Sequence, residues 1–296
     1  MKWFCVWLMA CGGSGGDKRA ATTPPATDSG TVPIPSELSP VAVVDEQIPT
    51  LIEVRWSTES SGTSWVEYGL DAVLDQSSPA GISTTEHTHL VVGLKAGKTY
   101  TWRAVTKLDD GSTLASNTAE IAIALPPAGH PDFTLIARQS DKATPGFVLA
   151  TLADANSMAH EGDVSSYVVI LDADADWVWW WPVAPGSGAV TPYFGADGRS
   201  IVYDEYDVNR QADVGYVTRV SFDGDDVVKT RIVDGHHATV EHADGTIGFL
   251  SHDFREIESG TDSATILTDY LLEVPVGATD VDEPRRVFSF YEDYYA

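Results

Sequence analysis

Gly235-His236-His237 opens an apolar run, and Glu241, His242, His252 and Asp253 follow close behind. A neutral imidazole can attack an electrophile, donate a proton to an anion or ligate a metal. Adjacent residues on an extended chain point to opposite sides, so at most one of His236 and His237 faces a given site. His237, His236 and His252 are the candidate catalytic residues. The compact His-Glu-x-x-His spacing of zinc hydrolases is missing, so no metal site is assigned, and no cofactor is implied. A histidine pair where a loop meets a strand also serves simply as structure, and that reading stands beside the catalytic one.

Asp172-Ala173-Asp174-Ala175-Asp176 sets three carboxylates at alternate positions, as calcium loops do. Trp177 stands where an EF-hand requires glycine, and Val183 where it requires glutamate, so an acidic hairpin turn is the better expectation. Trp177, Trp179, Trp180 and Trp181 follow, up to Pro182. Four indoles so close could stack on a sugar or aryl ring. Alternate aromatics of one strand also pack between sheets, and at least two of the four are expected to do so. His87 and His89, two apart on a strand, share a face as a metal pair would, yet no third ligand is near. They read as polar residues on an outer face. Both cysteines, Cys5 and Cys11, lie at the extreme N-terminus, so the body offers no thiol nucleophile, disulfide or cysteine metal site.

The elements that must position these side chains are strands. Gly195-Ala196-Asp197-Gly198, leading to Ile201-Val202-Tyr203, is echoed by His242-Ala243-Asp244-Gly245, leading to Ile247-Gly248-Phe249. Tyr216-Val217-Thr218-Arg219-Val220 is echoed by Tyr270-Leu271-Leu272-Glu273-Val274, with an earlier copy at Tyr167-Val168-Val169-Ile170-Leu171. All-strand repeats of roughly 40–50 residues are the mark of a β-propeller. About three blades fit within residues 132–296. Propellers close with roughly four to eight blades, so the segment is expected to be an incomplete propeller, the front of a longer protein; a small non-propeller β-domain is the alternative. Ahead of it, residues 41–126 carry period-2 runs at Ile52–Trp56, Trp65–Tyr68, His87–Val92, Tyr100–Lys107 and Ile121–Leu125. Ser60-Ser61-Gly62 and similar clusters separate them, which predicts a β-sandwich. The fold class expected is therefore all-β.

The first residues carry a different message. Lys2 precedes a short apolar run ending in Leu8-Met9-Ala10-Cys11, which looks like a bacterial lipobox with Cys11 as the lipidated residue. Residues 1–11 read as a lipoprotein signal peptide, and residues 12–40, rich in Gly, Ser, Thr and Pro, as a tether. The expected location is the bacterial cell envelope, on the outer-membrane or periplasmic side, held through the lipid alone. A soluble protein with an uninformative start is the alternative. The chain of 296 residues has 44 acids against 18 bases and a net charge of −26. Phosphate binding needs clustered Lys and Arg, so no nucleic-acid partner is expected, nor peripheral attachment to anionic lipid.

Two resemblances follow from these motifs. Trp56, Val66-Glu67-Tyr68-Gly69 and the tyrosine-corner string Leu94-Lys95-Ala96-Gly97-Lys98-Thr99-Tyr100 resemble a fibronectin type III domain. Asp174-Ala175-Asp176-Trp177-Val178-Trp179-Trp180-Trp181-Pro182 resembles the bacterial arylsulfotransferases. So do Gly195-Ala196-Asp197-Gly198, Arg219-Val220-Ser221-Phe222-Asp223-Gly224 and His236-His237 ahead of Asp244-Gly245-Thr246-Ile247. That resemblance spans roughly residues 132–290. It implies an envelope β-propeller that moves a sulfuryl group from an aryl sulfate donor to a phenolic acceptor through a sulfohistidine. It places His237 or His236 in sulfate binding or acid–base work, with further His and Arg expected in later blades that have no counterpart in this sequence. Ala238 departs from the Asp that the family often has after the pair. A non-enzymatic surface module that recognises glycan or protein is the second reading.

Overall fold

The computed structural model describes residues 38–126, 133–136, 146–153, 166–207, 214–259, 262–280 and 284–294. The signal peptide, Cys11 and most of the tether lie outside them. The described residues are almost wholly β, arranged as several antiparallel sheets, none closed into a barrel. Contacts divide the chain at residues 131/132 into two compact units. No helix among the described residues is long and apolar enough to cross a membrane.

The N-terminal unit contains β1 (Val41–Val44), β2 (Ile52–Leu70), β3 (Gln76–Ser77), β4 (Thr84–Val91), β5 (Thr99–Leu108), β6 (Thr113–Ala115) and β7 (Ala119–Ala122). The sequence predicts a break at Ser60-Ser61-Gly62, but β2 runs straight through it. Its first half pairs with β1 and β4, and its second half with β3 and β5, with a register shift against β4 between Ser57 and Gly62. Gly62 is paired on both sides, to Thr84 and to Leu108. A Cβ there would lie 2.6 Å from the Lys107 carbonyl oxygen, so the strand bends where only glycine fits. Bending β2 brings its two halves to opposite sides of one core. Ile52, Val54 and Trp56 from the first half meet Val66, Tyr100, Trp102 and Ala104 from the second half and β5.

Two side-chain bonds tie that core together. Trp56 Nε1 donates to Thr106 Oγ1 at 2.9 Å, from one layer to the other. The Tyr100 hydroxyl accepts the Lys95 backbone N–H at 3.0 Å, which is the tyrosine corner read from the sequence. The outer-face reading of His87 and His89 is overturned. They are 3% and 8% exposed, and their rings lie 5.1 and 5.3 Å from that of Trp56. The alternation of β4 turns His87, His89 and Val91 inward and Glu86, Thr88 and Leu90 outward. Hydroxyl partners for both His89 nitrogens and for His87 Nε2 make that burial tolerable.

The second unit is three antiparallel meanders in series. The first holds β8 (Val148–Ala153), β9 (Ser166–Leu171) and β10 (Trp177–Pro182). The second holds β11 (Ser187–Phe194), β12 (Ser200–Asp207), β13 (Val214–Ser221) and β14 (Val227–Val233). The third holds β15 (Gly235–Glu241), β16 (Thr246–Ser259), β17 (Asp262–Pro275) and β18 (Arg285–Ser289), followed by the single turn α1 (Phe290–Tyr294). The echoed motifs occupy equivalent places. Asp197-Gly198 and Asp244-Gly245 turn the first strand of their sheets into the second, each glycine at positive φ. Each Asp Oδ1 accepts the N–H two residues on, from Arg199 and Thr246. The Tyr216 and Tyr270 strands are β13 and β17, and the earlier copy is β9. By that alignment the first meander, among the described residues, has counterparts of strands two to four only.

Joins between sheets are short: residues 183–186 after β10, and Asp234 alone, at φ +47°, after β14. Val202, Val217 and Ile232 of the second sheet pack on Ile247, Phe249, Leu272 and Val274 of the third. Trp56→Phe is expected to destabilise the N-terminal unit by about 2–3 kcal/mol, from the lost volume and the orphaned Thr106 hydroxyl. Tyr100→Phe, which removes the hydroxyl and its bond to the Lys95 N–H but keeps the ring, should cost about 1 kcal/mol. Urea unfolding followed by tryptophan fluorescence checks the order; equal losses would contradict it.

Candidate functional site

His236 and His237 lie at the start of β15, immediately after the one-residue join. Their side chains lie outside the described residues, so their place is given by register. His236 pairs with Leu250 and Gly235 with Ser251 of β16, and the register then shifts before Thr239. His252 follows Ser251 and donates its backbone N–H to the Asp234 carbonyl at 3.2 Å. His236 and His252 are therefore diagonal neighbours on one ladder, a relation that sets Cα atoms roughly 7–8 Å apart. The bulge at His237-Ala238 re-aims the chain at that point, as bulges do near functional sites. His252 Nδ1 stands 3.8 Å from Asp269 Oδ1, and its ring lies 5.8 Å from that of Phe254. His242 is at the far end of β15, 3.9 Å from Glu273, and does not join the group.

What holds β15 is a polar cluster that the sequence reading missed. Asp204, in the middle of β12, is 8% exposed. Thr191 Oγ1 of β11 donates to its Oδ2 at 2.5 Å, and Thr239 Oγ1 of β15 donates to its Oδ1 at 2.6 Å. Burial pushes the Asp204 carboxyl up to about 6, against the pull of the two hydroxyl bonds. Burial likewise pushes the Tyr193 phenol up to about 12, with the Asp204 and Glu241 charges adding to it. Two strand positions further along, Arg219 Nη1 donates to Glu241 Oε1 at 2.9 Å. On the other face of β12, buried Glu205 accepts Thr218 Oγ1 at 2.8 Å and Lys229 Nζ at 2.9 Å. The signal was present in Ile201-Val202-Tyr203-Asp204-Glu205-Tyr206: two acids stand where a half-buried strand should carry core residues.

The arginines divide into engaged and open. Arg255 Nε bonds both oxygens of Asp253, at 2.9 and 2.8 Å. Its Nη2 bonds Glu292 Oε1 at 2.8 Å and the Tyr270 hydroxyl. Arg255 thus spends its donors inside the protein. Arg231 of β14 differs: its Nε is buried with no hydrogen-bond partner among the described residues. The tryptophan run is mostly core. Trp177, Trp179 and Trp180 are buried, and Trp179 Nε1 donates to the Phe222 carbonyl at 3.0 Å. A register shift between Trp177 and Trp179 lets near neighbours bury together. Asp172, Asp174 and Asp176 form the turn between β9 and β10. Asp172 Oδ1 accepts the backbone N–H of Asp174 and Asp176, at 2.9 and 3.0 Å. One oxygen from each of the three lies within 4.8 Å of the others, close enough to hold a hard cation.

No family model and no curated protein sequence matches the chain.

Asp204 binds its proton more tightly folded than unfolded, so its contribution is full below pH 3.8 and is lost as pH rises through about 6. Asp204→Asn keeps an acceptor for one threonine and offers a donor to the other. It is expected to gain on the order of 2–3 kcal/mol over wild type at pH 7.5 relative to pH 4. Urea midpoints of the second unit at both pH values check this; an equal difference at the two would contradict it.

Proposed function

We propose that this chain is an arylsulfotransferase-like envelope protein, anchored through Cys11, that serves transfer of a sulfuryl group from an aryl sulfate to a phenol. The observation that carries the reading is the β15–β16 ladder, which sets His236 and His252 diagonally across one strand pair with His237 beside them. In such a transfer an imidazole nitrogen bonds to sulfur as the bond from sulfur to the aryl oxygen breaks, and the departing phenolate takes up a proton. The acceptor phenol then loses its proton as its oxygen displaces the imidazole from sulfur. His236 and His237 are assigned to sulfate binding or proton transfer, with His252 in the same group.

Charge decides what else the site needs. A protein of net charge −26 repels a sulfate ester at long range, so affinity must come from local N–H donors. Arg255 and Arg219 are committed to carboxylates and so are not such donors. The second reading, a non-enzymatic surface module, draws on the third sheet, where Phe254 and Leu267 are 68% and 55% exposed.

The test is transfer from 4-nitrophenyl sulfate to phenol by the full chain, followed as nitrophenolate release. His236→Ala or His237→Ala is expected to slow it by about a hundredfold or more. Unchanged transfer in both variants removes the pair from the site. No transfer by the wild-type chain, together with no binding of 4-nitrophenyl sulfate, rejects the enzymatic reading in favour of the binding one.

A further inference from the structure

The N-terminal sandwich holds two buried histidines that none of the sulfuryl-transfer chemistry uses. His87 and His89 project from β4 against the Trp56 indole, with interplanar angles of 30° and 18°. Trp56 is also the residue that bonds across to Thr106 on β5. Whatever loosens the two rings therefore loosens the contact between the layers.

The hydrogen bonds identify which atom would have to take a proton. Thr58 Oγ1 donates to the Ser60 carbonyl at 2.8 Å, so its hydroxyl proton is committed. The His87 Nε2 atom, 3.0 Å from Thr58 Oγ1, must then be the N–H donor of that pair. The lone pair is left on Nδ1, which is buried and has no hydrogen-bond partner among the described residues. A second proton on His87 would enter at Nδ1 and find no acceptor. His89 is clamped between Ser64 Oγ at 2.9 Å and Ser78 Oγ at 3.2 Å. Gly81 closes over its ring, where a Cβ would lie 3.3 Å from Nε2. Ser78 Oγ already accepts the Val66 N–H at 2.9 Å.

Among the described residues that touch the rings there is no counter-charge. The groups around the rings are Trp56, Thr58 and Ser64 of β2, Ser78 after β3, and Gly81 before β4, all neutral. Glu86, next to His87 on β4 and turned outward, raises the His87 value against the larger effect of burial, and the charge of His87 lowers that of His89. The indole face attracts an imidazolium, but it provides no acceptor for Nδ1. Burial accordingly holds both imidazoles below their ordinary value.

We propose that His87 and His89 make the sandwich an acid-released clasp, in which charging the pair parts β4 from Trp56 and opens the contact between the two layers. The stability the neutral pair confers is complete above the ordinary histidine value near pH 6.5 and is lost as pH falls through it, because the unfolded chain takes up protons that the folded core refuses.

Amide hydrogen exchange of β2 and β4 in the full chain, corrected for intrinsic rates, reads the clasp directly. Above about pH 7 the opening equilibrium is expected to be flat, and below the ordinary histidine value it is expected to rise by up to about tenfold per pH unit for each histidine that must charge. His87→Gln and His89→Gln should each remove about one such factor from the slope. Tyr100→Phe should lower protection at every pH alike and leave the slope unchanged. A wild-type slope near zero, or an unaltered slope in both glutamine variants, overturns the proposal. Should those variants fail to fold, NMR titration of the wild-type imidazoles decides it: values at or above the ordinary one overturn the clasp.

Discussion

The second unit depends on one carboxylate. Asp204 sits between three strands of two sheets, accepting Thr191 from its own sheet and Thr239 from the next. An apolar residue there would pack, but it would not choose a register, because dispersion is non-directional. Two hydroxyl bonds of 2.5 and 2.6 Å do choose one, and β15 is the strand they fix. The ladder that carries His236 and His252 is in turn built on β15. The Val202, Phe249 and Val274 core supplies adhesion between these sheets, while Asp204, with the Arg219–Glu241 pair beside it, supplies alignment.

The two units solve the same problem with different chemistry. Each must bury polar side chains between β layers. For its fully buried side chains the sandwich uses neutral partners: indole to hydroxyl, phenol to amide, imidazole to hydroxyl. The second unit uses ions, pairing Glu205 with Lys229 and Asp253 with Arg255. Neutral pairs are cheap to bury but react to added protons, whereas paired ions resist acid until their carboxylates titrate. The concentration of acids after residue 126 thus has an internal as well as a surface expression, since Asp204, Glu205 and Asp253 are all buried.

Much of the fold was legible in the sequence, because period-2 alternation and Asp-Gly turns are local signals. The tyrosine corner and both echoed turns lie where the sequence places them. The continuity of β2 was not legible: Ser60-Ser61-Gly62 has turn composition, and only pairing on both sides of Gly62 makes it strand. His87 and His89 were misplaced for a related reason. Histidine hydropathy says polar, but the partners that neutralise it, Ser64 and Ser78, are remote in sequence. The site was legible only in part. Paired histidines announce themselves, whereas the importance of Thr239 or Asp204 rests on contacts between strands 35 residues apart.

Asp234 is the whole connection between the second and third sheets, one residue in a left-handed conformation. A longer loop would absorb an inserted or deleted residue as slack. Here there is none, and a single added residue would send every member of β15 to the opposite face. Thr239 would leave Asp204, and Glu241 would leave Arg219. The join is therefore a frame-setting device, poorly able to tolerate a change of length whatever its tolerance for a change of side chain.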